Sequence, residues 1–191
     1  MKKMDNYDKI QTNVRGVMLV IFVSGIHGVG KTYFCNLVRE KINIQSYSAS
    51  QLIATKRNKI FSADKLVSDI YDNQTLLVEA IKELREREEF ILDGHFCLLN
   101  ELGKITRIPS DTYTLLKPDV MILLTEQPEI ISDRRFQRDG VYQETSDISA
   151  FQEEEKKYAE EIAEKLGIPL VVSHGADDLN RIVEFIRGGL Y

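Results

Sequence analysis

The run from Val17 to Thr32, VMLVIFVSGIHGVGKT, sets Gly25-x-x-x-x-Gly30-Lys31-Thr32 directly behind seven continuous apolar residues. Val17 to Val23 shows no helical period, which suits a strand buried on both faces of a sheet. From Lys31 onward, Phe34, Leu37, Val38 and Ile42 recur at three and four residues, so a helix is predicted to begin where the glycines stop. Strand, glycine-rich turn and helix in that order make a phosphate-binding loop. Backbone N–H groups wrap a polyphosphate there, and Gly25, Gly28 and Gly30 stand where a Cβ would block the approach or forbid a positive φ. Lys31 is expected to set its ammonium between the β- and γ-phosphates, and Thr32 to offer its hydroxyl to Mg²⁺. The helix N-terminus adds partial positive charge. A nucleoside triphosphate is the ligand this pattern predicts, with Gly25, His27, Gly28, Val29, Gly30, Lys31, Thr32 and Tyr33 around it.

A chain of 191 residues is long enough for one well-buried domain and short for two. Its 25 Lys and Arg against 30 Asp and Glu leave a net charge of −5, which argues against a broad nucleic-acid or anionic-membrane surface. No apolar run reaches the length of a membrane span. MKKMDNYDKIQTNVRG has no apolar core behind its lysines, so a flexible arm over residues 1–16 is expected rather than a leader. Cys35 and Cys97 offer neither a disulfide framework nor a C-x-x-C site. Both are read as small core residues of a reduced, cytoplasmic chain.

Further strands are expected at Ile44–Ala49, Phe90–Asp93, Asp119–Thr125 and Pro169–Ser173, giving five in all. Ser48 and Ser50 precede a helix leading to Lys56, Arg57 and Lys59, three positive charges suited to a substrate anion or to a solvated helix end. Ser62 or Asp64 is expected to cap a brief helix to Ile70, and Asp72 or Asn73 a longer one with an apolar stripe from Leu76 to Leu84. Phe90-Ile91-Leu92-Asp93 has the shape of a Walker B strand, whose acid sits beside the metal and its waters. Leu102-Gly103 is a candidate hairpin turn, and Ser110 or Asp111 a cap for a short helix closed by Pro118. Pro128-Glu129 opens a helix carrying Arg134, Arg135 and Arg138. Asp147 is expected to cap a long helix marked by Ile148, Phe151, Tyr158, Ile162 and Leu166, and a closing helix spans about Leu179 to Ile186. Strands alternating with helices predict an α/β fold whose parallel sheet is covered on both faces and binds ligands at the carboxyl ends of its strands.

GIHGVGKT, LDGH after a strand and PEIISDRRFQRD after another strand together resemble the nucleoside monophosphate kinases and related small-molecule kinases, the archaeal-type adenylate kinases above all. The resemblance runs from about residue 17 to about residue 187. It implies a three-layer P-loop kinase fold over residues 17–191, with a small substrate-binding insertion at about 44–88 and a short lid at about 128–147. By it, Lys31, Asp93, Arg134, Arg135 and Arg138 carry catalysis, Thr32 and Asp93 serve the metal, and Arg57 meets the acceptor. Asp93 is also a candidate toward the acceptor, and His95, at a strand end, is read either as a substrate contact or as a local hydrogen-bond partner. His27 stands where adenylate kinases often have proline, no proline-arginine pair follows Asp93, and the lid lacks arginines beyond Arg138.

Phosphoryl transfer is mainly alignment and charge neutralisation. A monophosphate acceptor needs cations, for which Lys56, Arg57, Lys104 and Arg107 are available; an alcohol acceptor needs a carboxylate such as Asp93 or Asp64. The expected activity is transfer from ATP, with Mg²⁺, to a nucleoside monophosphate, AMP first. A kinase for a small alcohol and a regulatory ATPase with a protein partner stand beside it.

Overall fold

The computed structural model describes residues 18–61, 70–100, 102–140 and 142–188. The first apolar run forms β1 (Val20–Ser24), buried at every position, and its helix α1 is Lys31–Ile42. The strand begins three residues later than the run itself. Then come β2 (Gln45–Ser48), α2 (Ala49–Phe61), α3 (Ile70–Arg85) and β3 (Phe90–Asp93). A hairpin of β4 (Cys97–Leu99) and β5 (Ile105–Arg107) follows, with Gly103 at φ 72° in its turn as the Leu102-Gly103 pair predicts. The chain continues through α4 (Ser110–Leu116), β6 (Val120–Leu124), α5 (Pro128–Asp139), α6 (Thr145–Leu166), β7 (Leu170–Ser173), a 3₁₀ turn and α7 (Leu179–Gly188).

The main sheet is five-stranded, in the order β2-β3-β1-β6-β7, and every pair is parallel. β1 is therefore central. Val23 pairs with Asp93 on β3, and Ser24 with Leu123 on β6, so the end of β1 that leads into the glycine loop has Asp93, the expected Walker B acid, on one side. Phe34, Phe90, Phe96, Tyr113 and Phe151 are fully buried around these strands. Cys35 and Cys97 are free thiols within that core.

Several helix starts differ from the sequence expectation. Ser48 ends β2 and α2 begins at Ala49, so strand passes into helix with no capping loop between them. α3 is already running at Ile70, ahead of Asp72 and Asn73; α4 takes Pro109 rather than Ser110 or Asp111 as its flanking residue. α6 starts at Thr145, leaving Asp147 in the first turn, where its charge still favours the helix dipole. The arm at 1–16 and the brief helix expected after Ser62 or Asp64 lie outside the described residues. Among the described residues, no helix is long and apolar enough to cross a membrane.

Candidate active site

The phosphate loop owes its path to its glycines. Gly25 has φ 142°, and a Cβ there would lie 2.7 Å from the Leu124 carbonyl oxygen; Gly30, at φ 103°, hands the chain into α1. Lys31 is 8% exposed, and its Nζ donates to the carbonyls of Gly25 at 2.7 Å and Ile26 at 3.3 Å. Burial pushes its pKa down, while Asp93 and Glu155 oppose that shift. Thr32 Oγ1 donates to Asp93 Oδ2 at 3.4 Å. Burial raises the Asp93 carboxyl, opposed by Lys31 and by this hydrogen bond. A hydroxyl and a carboxylate meeting at the first turn of α1 are hard oxygen donors of the kind Mg²⁺ takes together with its waters.

Two histidines stand beside this cradle. The His27 and His95 rings are 4.3 Å apart between centroids, tilted by 43°. Burial, with help from Lys31, Arg135 and Arg138, lowers His27 to about 4. Burial and the neighbouring Lys31 and His27 hold His95 well below the usual histidine range, so both rings are neutral at pH 7. His95 Nδ1 is buried without a partner among the described residues.

The three arginines of α5 divide into two roles. Arg134 and Arg138 line the cavity: Arg134 donates to the Val29 carbonyl at 3.2 Å and pairs with Glu126 at 3.1 Å, while Arg138, exposed, pairs with Asp139 at 2.6 Å. Arg135 is buried and does not line the cavity. Its Nε donates to the His27 carbonyl at 2.9 Å, its Nη1 to Gln143 Oε1, and its stem lies against Gly28.

The cradle opens into one cavity of about 490 Å³. Lys31, Thr32, Tyr33, Asp93 and His95 line one end. Ser48 and Ser50 line the α2 side, Gln74 and Leu77 come from α3, and Leu98, Ile108, Tyr113 and Leu116 complete the wall. Among the described residues, none of Lys56, Arg57, Lys104 and Arg107 is a lining residue, and the Lys59 side chain lies outside the description. Lys56 pairs with Glu83, Arg57 donates to Asn73 Oδ1, and Arg107 is held by Glu154 and Glu161 over the Tyr158 ring. Lys104 sits beyond Gly103 in the hairpin turn, exposed. Thr125 reaches the same sheet edge, but its Oγ1 lies 3.3 Å from His174 Nδ1, away from the cavity.

Residues the sequence reading passed over complete the site. Gln74 brings to the apolar wall a buried Oε1 that has no partner among the described residues. Glu155 was legible in outline: Ile148, Phe151, Tyr158 and Ile162 mark one face of α6, and Glu155 occupies the beat between Phe151 and Tyr158. A carboxylate in an apolar stripe signals a buried partner. Here that partner is the backbone of Phe96 and Cys97.

Residues 24–152 match a family model described as an AAA domain. A Methanocaldococcus jannaschii protein named "Putative adenylate kinase" is 30% identical over 117 residues, covering 60% of this chain and 55% of that protein. The chain thus spans about half the length of the curated relative it matches. Among solved structures, a shikimate kinase from Acinetobacter baumannii in complex with shikimate superposes with a TM-score of 0.56 at 15% identity, covering 90% of this chain and 94% of that one. The Aquifex aeolicus shikimate kinase gives 0.53 at 17% identity, covering 90% and 96%. A Sinorhizobium meliloti gluconokinase gives 0.50 at 17%, covering 90% and 91%. At such identities the likeness is one of fold, and that fold is the P-loop kinase fold.

Proposed function

Because the chain belongs to the AAA-domain family and folds as a P-loop kinase, we propose that it is an ATP-dependent kinase of a small-molecule acceptor, a nucleoside monophosphate and AMP first. One observation carries this reading: Lys31, Thr32 and Asp93 stand at one end of a cavity of about 490 Å³ that continues into a walled chamber for a second reactant. An ATPase that merely switches state has no need of that chamber. The insertion at about 44–88 supplies part of its wall through Ser48, Ser50 and Gln74, and the lid at about 128–147 supplies Arg134 and Arg138.

In this reading the glycine loop binds the phosphates through backbone N–H groups, and Lys31 bridges to the transferring group. Mg²⁺, when bound beside Thr32 and Asp93, neutralises charge on the phosphate oxygens. Arg138 leaves its partner Asp139 to meet the charge that spreads over the γ-phosphoryl oxygens, and Arg134 fixes the loop through the Val29 carbonyl. The apolar wall of Leu77, Leu98, Ile108 and Tyr113 suits a planar base, with the acceptor phosphate turned toward Lys31 and Arg138. The name of the Methanocaldococcus jannaschii relative supports AMP as the first acceptor to test.

A second reading has its own observation. With no cation of its own on the acceptor wall among the described residues, the chamber also suits an uncharged alcohol, whose hydroxyl proton Asp93 is placed to accept. Incubation with γ-labelled ATP and a panel of monophosphates and polyols, followed by product separation, decides between them. Label on one monophosphate supports the first reading, label on a polyol the second, and inorganic phosphate released at an acceptor-independent rate refutes both.

A further inference from the structure

The carboxylate buried in α6 has no part in the mechanism above. Glu155 is 1% exposed, and its two oxygens receive two backbone donors, Oε1 from Phe96 N at 2.9 Å and Oε2 from Cys97 N at 2.6 Å. These amides lie three and four residues beyond Asp93 and directly after His95. The same short segment is tied from its other side. Tyr113 Oη donates to the His95 carbonyl at 2.7 Å, and Ile108 N to the Phe96 carbonyl at 2.9 Å. One turn earlier on α6, Gln152 accepts from Glu126 N at 3.0 Å and donates to Glu126 O at 2.9 Å, holding the residue whose side chain pairs with Arg134. The two grips are three residues apart on one helix face. One reaches the segment that leaves β3 after Asp93, the other the entry to the lid helix.

We propose that Glu155 is a positioning residue for phosphoryl transfer, holding through the Phe96 and Cys97 amides the backbone that carries Asp93 and His95 against the phosphate loop. This rests on the kinase reading of the site. Two converging N–H donors need two acceptors, and a carboxylate supplies both, whereas a carboxamide offers one oxygen and turns an NH₂ toward the other donor. Burying a carboxylate is costly, and an apolar residue in this stripe would pack α6 without that penalty. The charge also bears on the cradle, because Glu155 and Asp93 are the carboxylates that act on the buried Lys31. Loss of Glu155 thus frees the segment that follows Asp93 and carries His95, and removes one of two counter-charges from the phosphate-binding ammonium.

Glu155→Gln tests this in the full chain, with Ile162→Val as a control that thins the same helix face without touching the loop. Amide exchange in the nucleotide-free protein should lose protection at Phe96 and Cys97 in E155Q and keep it in I162V. Turnover should fall about 10- to 100-fold in E155Q, as for residues that orient a metal's own ligands, with KM for ATP changed less than about threefold. If wild-type protein phosphorylates no acceptor, the kinase reading alone fails. Glu155 is then judged by the gain in affinity that Mg²⁺ gives a non-hydrolysable ATP analogue, which E155Q should lose. Glu155→Asp, which keeps both oxygens but withdraws them by one methylene, gives the same direction if E155Q does not fold. Unchanged amide protection, an equal turnover loss in I162V at matched thermal stability, or a Mg²⁺ gain equal to wild type overturns the assignment.

Discussion

Arg135→Met separates a residue that shapes the phosphate loop from one that acts on the phosphates. Methionine keeps most of the stem that packs on Gly28, where a Cβ would already approach Arg135 Cγ to 3.1 Å, and deletes the guanidinium. Two hydrogen bonds go with it, to the His27 carbonyl and to Gln143. Bonds from a charged donor contribute about 1.5–3 kcal/mol each. Against that stands the cost of keeping a cation 8% exposed, which lowers the Arg135 pKa by desolvation first and by Arg138 next. The balance is a loss of about 2 kcal/mol, or about 4–8 °C in Tm for a chain of this size. Affinity for a non-hydrolysable ATP analogue should fall with it, since the His27 carbonyl is no longer held and the loop that presents its amides slackens. Turnover at saturating ATP should stay within about threefold. The assay is thermal melting beside analogue titration and single-turnover transfer. Unchanged Tm and analogue affinity with transfer abolished would refute this and place Arg135 among the groups that touch the phosphoryl.

Other outcomes follow from the same geometry. Lys31→Ala should reduce transfer on the order of 100-fold or more with the circular-dichroism spectrum intact; undiminished turnover would sink the cradle assignment. Arg138→Ala should slow turnover more than it weakens ATP binding, because its guanidinium is exposed and among the described residues holds only Asp139 in the free protein; a pure affinity effect counts against it. His27 titrates at about 4 when folded against 6.5 when unfolded. Between those values the unfolded chain binds more protons, so this group makes stability fall as pH drops from about 6.5 to about 4. His95 adds to that slope, whereas Asp93 and Glu155, both raised by burial, oppose it. His27→Asn should flatten the slope of the urea midpoint between pH 7 and pH 5; an unaltered slope means the ring is not what titrates.

The fold was legible because its signals are local. A continuous apolar run, a glycine turn and a 3.6-residue period identify β1, the loop and α1 without knowledge of any distant residue, and the same holds for β3, β6 and the Pro128 start of α5. Helix starts were less legible. A capping side chain is a preference, and Ser48 shows a tertiary constraint displacing it: four residues pair in register with β3 before the chain turns directly into α2.

The site was legible where a motif fixes the backbone and illegible where side chains choose among partners. Lys31, Thr32 and Asp93 meet because parallel register sets Val23 beside Asp93, which strand order determines. Lys56, Arg57 and Arg107 were equally cationic on paper. Whether each faces the cavity depends on Glu83, Asn73, Glu154 and Glu161, which are 16 to 54 residues away and draw three of the candidate cations off the acceptor wall. Among the described residues, what remains there is hydroxyl, carboxamide and hydrocarbon. Under the proposed kinase reading, an acceptor phosphate would draw its positive charge from Lys31 and Arg138, the cations proposed for the donor side. On this geometry the binding of a monophosphate should depend on the lid arginine, while the binding of a neutral polyol should not, so the charge of the acceptor can be read from Arg138→Ala by its effect on acceptor KM alone.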